Sequence, residues 1–318
     1  MTRVASIGEC MIELKQVQGD GPDGLYSRGY GGDTLNTAVY LARLGVEVDY
    51  ITALGDDPMS DEMIAGWAAE GVGTTRVARL NGKLPGIYMI RTDEKGERQF
   101  FHWRENAAAR GLMDLPETDD ILDSLSTYEV VYLSAITLSI YGAAGRAKLI
   151  GALHRARKHG ARIVFDTNFR ARGWPDLDIA RAVFDQAFAA SDMVLASAAD
   201  LLPLYPGESD DRLLARIRCE EAVLKLLKPA SIVRFDGVAI EVRAEPLAQL
   251  VVDTTAAGDS FSAAYIAARL SGAEPVEAAR AGHRLAGVVV CYPGAIIPRP
   301  AMPANILPDP PSSHRVSR

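Results

Sequence analysis

An α/β fold, with helices covering both faces of a mostly parallel sheet, is what this chain predicts, on three observations. Short apolar runs alternate with longer helical patterns along most of its 318 residues, the order expected of strand–helix units. The runs are continuously apolar, as in Val130-Val-Tyr-Leu-Ser134, which suits strands buried on both faces. Hydrophobic types make up 48% of the residues, enough for one large core at a length above that of most single domains.

The elements follow in order. Val4–Gly8 reads as an apolar strand. Met11–Leu14 and Tyr26–Tyr30 are short extended pieces around the glycine-rich turn Gly19-Asp-Gly-Pro-Asp-Gly24. A helix is expected over Thr34–Leu44, with Leu35, Ala38, Val39 and Ala42 at helical spacing and Gly45 as its stop. Val48–Leu54 reads as a buried strand and Ser60–Glu70 as a helix. Gly86–Thr92 and Arg98–Arg104 form two strands joined by a hairpin turn at Asp93-Glu-Lys-Gly96. Further strands are expected at Val130–Ser134, Arg162–Asp166, Met193–Ala196, Ser231–Phe235, Val238–Arg243 and Leu250–Val252. Further helices are expected at Ala143–His159, Asp178–Ala190, Asp210–Leu227, Gly258–Leu270 and Pro275–Val290. The proline-rich tail after Ile297 reads as a surface or disordered extension. The result is one domain over residues 1–305, a disordered stretch over 306–318, and no internal repeat.

Composition excludes several functions. Lys+Arg 34 against Asp+Glu 41 leaves a net charge of −7, and the densest basic cluster, Arg155-Ala-Arg157-Lys158-His159, suits the last turn of a helix. Nucleic-acid and anionic-membrane partners are therefore not expected. Cys10, Cys219 and Cys291 lie far apart, and His154 and His159 do not share a helical face, so neither a disulfide framework nor a zinc site is indicated. No basic segment precedes an apolar one at the N-terminus, and no apolar run reaches about 18 residues. A cytoplasmic protein is the expectation.

The most informative stretch is Asp253-Thr-Thr-Ala-Ala-Gly258-Asp259-Ser-Phe-Ser-Ala-Ala-Tyr265. Small residues run straight into a helical pattern, and a bare helix N-terminus offers unpaired N–H groups and the positive end of the dipole to a phosphate. Asp259 has the wrong charge to bind that phosphate, but it suits a base that takes the proton of an attacking alcohol. Alone, the stretch fits an ordinary capped helix equally well. No Gly-x4-Gly-Lys-Ser/Thr loop occurs, and the first strand leads into Gly8-Glu-Cys-Met rather than a dinucleotide fingerprint.

With Gly31-Gly32-Asp33-Thr34-Leu35-Asn36-Thr37-Ala38-Val39 and Asp166-Thr167-Asn168-Phe169-Arg170, the stretch resembles the three signatures of the ribokinase-like carbohydrate kinases. Within that family the chain is most similar to the branch acting on 2-keto-3-deoxygluconate, through Gly8-Glu-Cys-Met-Ile-Glu-Leu14, Gly31–Asn36, Asp253–Phe261 and Gly294-Ala-Ile-Ile-Pro298. The resemblance implies a ribokinase-like three-layer α/β/α sandwich. It also implies a small β-strand lid from about residues 10–30 and 86–104, which closes over the sugar and often pairs with a partner's lid in a homo-oligomer. The activity implied is ATP-dependent phosphorylation of the terminal hydroxyl of the keto sugar acid, with Mg²⁺ and an optional K⁺.

The roles it implies fall on named residues. Asp259 is the base, and the N–H groups of Ala256, Ala257 and Gly258 form the anion hole. Gly32, Asp33, Asn36, Tyr88 and His102 surround the sugar, while Arg104 and Arg170 offer guanidinium forks to its carboxylate. Asn168, Arg170, Arg234, Gly237 and the amides of residues 256–258 face the nucleotide. Asp200 meets Mg²⁺ indirectly, and Asp253 shapes a monovalent-cation loop. Simpler readings stand beside these: Asp33 and Asp253 as caps, Tyr88 as packing, each arginine as a surface ion pair. The family pattern has Gly at the position of Ala256, which is tolerable if the dihedrals there stay negative. It also has Lys for Arg234, Gly for Phe235, and Asn-x-x-Glu for Ser197-Ala-Ala-Asp200. These departures keep open a kinase of another sugar, or a non-catalytic sugar-acid-binding protein.

Overall fold

The computed structural model describes residues 3–17, 24–92, 98–247 and 249–308. The turn expected at Asp93–Gly96 and most of that at Gly19–Gly24 lie outside them. In chain order the strands are β1 (Arg3–Ile7), β2 (Met11–Gln16), β3 (Tyr26–Gly31), β4 (Glu47–Gly55), β5 (Val77–Leu80), β6 (Ile87–Thr92), β7 (Arg98–Trp103), β8 (Val130–Ser134), β9 (Arg162–Asp166), β10 (Met193–Ser197), β11 (Glu221–Lys225), β12 (Ala230–Phe235) and β13 (Val238–Arg243). The helices are α1 (Asp33–Arg43), α2 (Pro58–Ala69), α3 (Thr118–Asp123), α4 (Ala135–Ile140), α5 (Ala143–Lys158), α6 (Leu177–Ala190), α7 (Ala198–Leu201), α8 (Asp210–Arg216), α9 (Ala257–Leu270) and α10 (Pro275–Val289).

Nine strands form one sheet in the order β13-β12-β11-β10-β9-β8-β1-β4-β5, and β3-β2-β6-β7 form a second. From β11 to β5 all pairings are parallel, whereas the β11–β12 and β12–β13 pairings are antiparallel. Burial on both faces explains the continuous apolar runs: Val131 and Leu133 of β8 join the core under α5 and α6, while Val130 and Tyr132 join the one under α1, α9 and α10. Three layers result, and the four strands of the small sheet are those of the expected lid, with Tyr88 against Gly31 before α1 and Arg104 against Glu9 after β1.

Three expectations need correction. The helix expected over Asp210–Leu227 ends at Arg216, and its second half is β11. Ala222, Val223 and Leu224 are sealed on both faces of the sheet, and such a strand has no period that separates it from a buried helix turn. Leu250–Val252 pairs with no strand. It is an exposed connection whose Val252 and Asp253 N–H groups both meet the Val290 carbonyl at the end of α10. The chain after Ile297 is not a surface extension throughout, because Ile306 is 2% exposed within the second core. Arg43 donates to the carbonyl of Ile297 and Arg284 to that of Ile306, so this proline-rich backbone is bound to α1 and α10. Residues 309–318 lie outside the described ones.

Candidate active site

β1 feeds α1 and then β4 on one side, while β8 lies on its other side. The crevice outside the carboxyl ends at such a reversal is where open α/β sheets bind ligands. Several of the expected residues meet there. Asn36 of α1 donates through Nδ2 to Asp259 Oδ2 of α9 at 2.8 Å, and Asn168, just after β9, donates to Asp33 Oδ2 at 2.9 Å. Thr37 donates to the Asp259 carbonyl at 3.3 Å. The Oδ1 of Asn36 is buried with no partner among the described residues, an acceptor suited to a ligand hydroxyl.

Asp259 keeps part of its surface in the crevice. Loss of hydration and then the neighbouring Asp33 carboxylate push its pKa up to about 8 against the Asn36 hydrogen bond, and Asp33 is likewise raised by burial. Two carboxyl groups in one poorly hydrated crevice resist ionising together, which makes a weak acid of either.

The glycine pair has a steric origin. A Cβ on Gly31 would lie 2.4 Å from the Tyr88 hydroxyl, and one on Gly32 would lie 2.2 Å from the Glu9 carbonyl oxygen. Gly32 is the extended N-cap of α1, so Asp33 is its first helical residue rather than its cap. The cap of α9 is Ala256, with φ 58 and ψ 14. The negative dihedrals expected there are not adopted: this turn needs the left-handed conformation that Gly enters freely and Ala does not. The Ala257 N–H is turned 3.3 Å from the Thr254 carbonyl. The N–H groups of Gly258 and Asp259, in the first turn of α9, meet no protein acceptor among the described residues.

Lys225, at the carboxyl end of β11, completes this corner and was missed in the sequence, where it fell inside an expected helix. Its Nζ is 3.3 Å from Asp166 Oδ2 and 3.5 Å from where a Cβ on Gly258 would stand. Asp166 also accepts from Ser262 at 2.7 Å and from the Asn168 N–H at 3.2 Å, so the ammonium is anchored beside the α9 N-terminus. The sequence offered only the short apolar run Ala222-Val-Leu224 ending on a cation.

Arg234 and Gly237 are not brought to the crevice. β12 runs antiparallel, pairing Arg234 with Ala222 and Ser231 with Lys225, so its far end reaches the opposite edge of the sheet. There Arg234 donates to the carbonyls of Leu214, Ile217 and Cys219. Gly237 turns the β12–β13 hairpin with Asp236, both at positive φ.

On the lid, Tyr88 stacks on His102 across β6 and β7 with ring centres 6.0 Å apart and donates to Glu13 at 2.5 Å. Arg104, just past β7, donates to Glu9. Arg170 is exposed and pairs with Asp200 at 3.3 Å, and Asp200 also accepts from Thr167 at 3.1 Å. Burial and then the nearby Asp166 raise the pKa of Asp200. The Asp253 carboxylate accepts from Thr255 and from the Gly294 N–H, with the Lys15 ammonium 3.8 Å away. Such donors suit a turn cap, the simpler reading of Asp253. Among the described residues no group of three or more His, Cys, Asp or Glu could hold a metal ion, and no helix is long and apolar enough to cross a membrane.

A helix terminus, a lysine and an acid converge at this crevice, a combination suited to phosphoryl transfer. The model of the pfkB family of carbohydrate kinases matches residues 1–302, and the chain belongs to that family. It is 44% identical to the 2-dehydro-3-deoxygluconokinase of Dickeya dadantii, over 95% of this chain and 98% of that one. It is 39% identical to that of Escherichia coli strain K12, over 95% and 99%. Among solved structures, a putative ribokinase II of E. coli in complex with ATP and Mg²⁺ superimposes with a TM-score of 0.79 at 22% identity, covering 93% of this chain and 94% of that one.

Proposed function

We infer that this chain transfers the γ-phosphoryl group of ATP to the terminal hydroxyl of 2-keto-3-deoxygluconate (2-dehydro-3-deoxygluconate), giving the 6-phosphate and ADP. One observation carries the reading: the Asp259 carboxyl stands in the first turn of α9, beside unpaired N–H groups and the Lys225 ammonium. The hydroxyl oxygen attacks the γ-phosphorus, the bond to the bridging oxygen of ADP breaks, and Asp259 accepts the hydroxyl proton. The amides of Gly258 and Asp259, with Lys225, offset charge on the transferring group. Asp33 and Asn36 hold sugar hydroxyls, Tyr88 and His102 cover the ring, and Arg104 serves the acid end. Arg170 stands where Asn168 and Asp200 face the nucleotide. Mg²⁺ bound with the nucleotide would neutralise phosphate charge. Asp200, whose pKa burial and then Asp166 raise, is the carboxylate that a divalent cation would relieve.

The same reading treats residues 1–305 as one catalytic domain in the cytoplasm, where ATP is available. It pairs two copies through their lids. β7 is an edge strand, and Phe101 and Trp103 on the face opposite His102 are 43% and 58% exposed, a combination that invites a second sheet.

An ADP-release assay over a panel of sugars tests the activity. Saturable turnover is expected on the keto acid. Turnover on fructose or ribose with none on the keto acid would overturn the substrate, and keto-acid binding without any ADP release would make the protein a non-catalytic binder.

A further inference from the structure

Glu9 follows Gly8 at the carboxyl end of β1, and only 1% of its side chain is exposed. Its Oε2 accepts from Nη2 of Arg104 on the lid, while its main-chain carbonyl abuts Gly32 at the start of α1. The charged groups facing it are Arg104, Arg110 and Asp33. The pair is half satisfied: Oε1 of Glu9 and Nε of Arg104 are both buried with no partner among the described residues. A buried ion pair with unused hydrogen-bonding groups stabilises a fold poorly, and apolar residues of similar volume do as well or better. What the pair does supply is orientation. A long lid side chain is gripped at one nitrogen by an acceptor fixed to the core, at the level of the sugar-side glycine.

We propose that Glu9 is a specificity-determining positioning residue, holding the Arg104 guanidinium from the core side so that its remaining N–H groups meet the carboxylate of the sugar acid. The inference rests on the sugar-acid reading above. It is the acceptor geometry, not the charge of Glu9, that matters, because a second carboxylate must approach the same guanidinium.

Steady-state kinetics on the full chain test this through a double-mutant cycle. Glu9→Ala raises KM for the keto acid about tenfold or more, the weight of a hydrogen bond to a charged group, with kcat and KM for ATP little changed. Glu9→Gln keeps an acceptor and stays near the wild-type KM. Arg104→Ala raises KM as well, and adding Glu9→Ala to it changes nothing further. Additive effects, or a Glu9→Ala variant with unchanged KM or with a loss confined to kcat, overturn the proposal. Should Glu9→Ala fail to fold in a thermal melt, Glu9→Leu fills the space without accepting a hydrogen bond and carries the same expectation. A wild-type chain without saturable keto-acid turnover overturns the functional reading and this inference with it; additivity in an active wild type overturns the inference alone.

Discussion

The helices α1 and α9 bring their N-termini to one crevice, each with an aspartate in its first turn, yet they begin by different rules. α1 starts from Gly32 in an extended conformation open to any residue, and glycine is required there only because the Glu9 backbone leaves no room for a Cβ. α9 starts from Ala256 in the left-handed conformation, where glycine is favoured by the backbone itself and alanine carries strain. The terminus of α1 is therefore limited by space, and that of α9 by conformation. Strain at the second is tolerated because the turn is fixed from outside: Asp253 closes it through Thr255 and Gly294.

The largest expected effect separates the two acids. Asp259→Asn should lower kcat by about 10³-fold, within the usual range for loss of a general base, while calorimetric sugar binding persists. Near-normal turnover would remove the distinction between the termini. Crowding the space-limited end comes next. Gly32→Ala should destabilise by about 1–3 kcal/mol in urea unfolding, the usual weight of overpacking against backbone, and should raise KM for the sugar. An unchanged midpoint would show that the Glu9 segment gives way.

Lys225→Met should lower kcat/KM for ATP by about 10- to 100-fold, as for a charge aimed at a transferring phosphoryl group, and should leave sugar affinity alone.

The raised pKa of Asp259 fixes two signs. Its base form grows as pH rises, so kcat/KM should climb through half its plateau near pH 8 and level off above it, with the climb absent in Asp259→Asn. Its folded-state pKa lies above the unfolded value of about 3.9, so the native state holds the extra proton in between. Stability from this group is then full below that value and declines as pH rises toward about 8. Unfolding midpoints that rise over this interval in the wild type relative to Asp259→Asn would contradict the assignment. The smallest effect is Ala256→Gly. Relief of left-handed strain, less the added freedom of the unfolded chain, should stabilise by about 0.5–1 kcal/mol; a loss of stability would mean the alanine methyl packs usefully.

Much of this site was readable from residue order. Gly31–Asn36, Asp166–Arg170 and Asp253–Asp259 each end or begin an element, though only Asp166–Arg170 follows a strand of the parallel sheet. Lys225 and Arg234 show where that reading stopped. Both are cations near the end of an apolar run, but β11 is parallel and β12 antiparallel, so one reaches the crevice and the other the far edge. Strand direction leaves no trace in hydrophobic pattern, because burial on both faces looks the same either way. Arg104 was legible as a cation on the lid, but its grip by Glu9 was not, since the two are far apart in the chain and meet only when the lid lies over β1.

Local chemistry alone was enough to mark the layers, the lid strands and the small-residue turn before α9, since propensity and burial period act over neighbouring residues. Which charges face one another was decided only by tertiary structure. Pairing direction and lid placement set those distances, and Coulomb and hydrogen-bond energies depend on distance in space rather than along the chain.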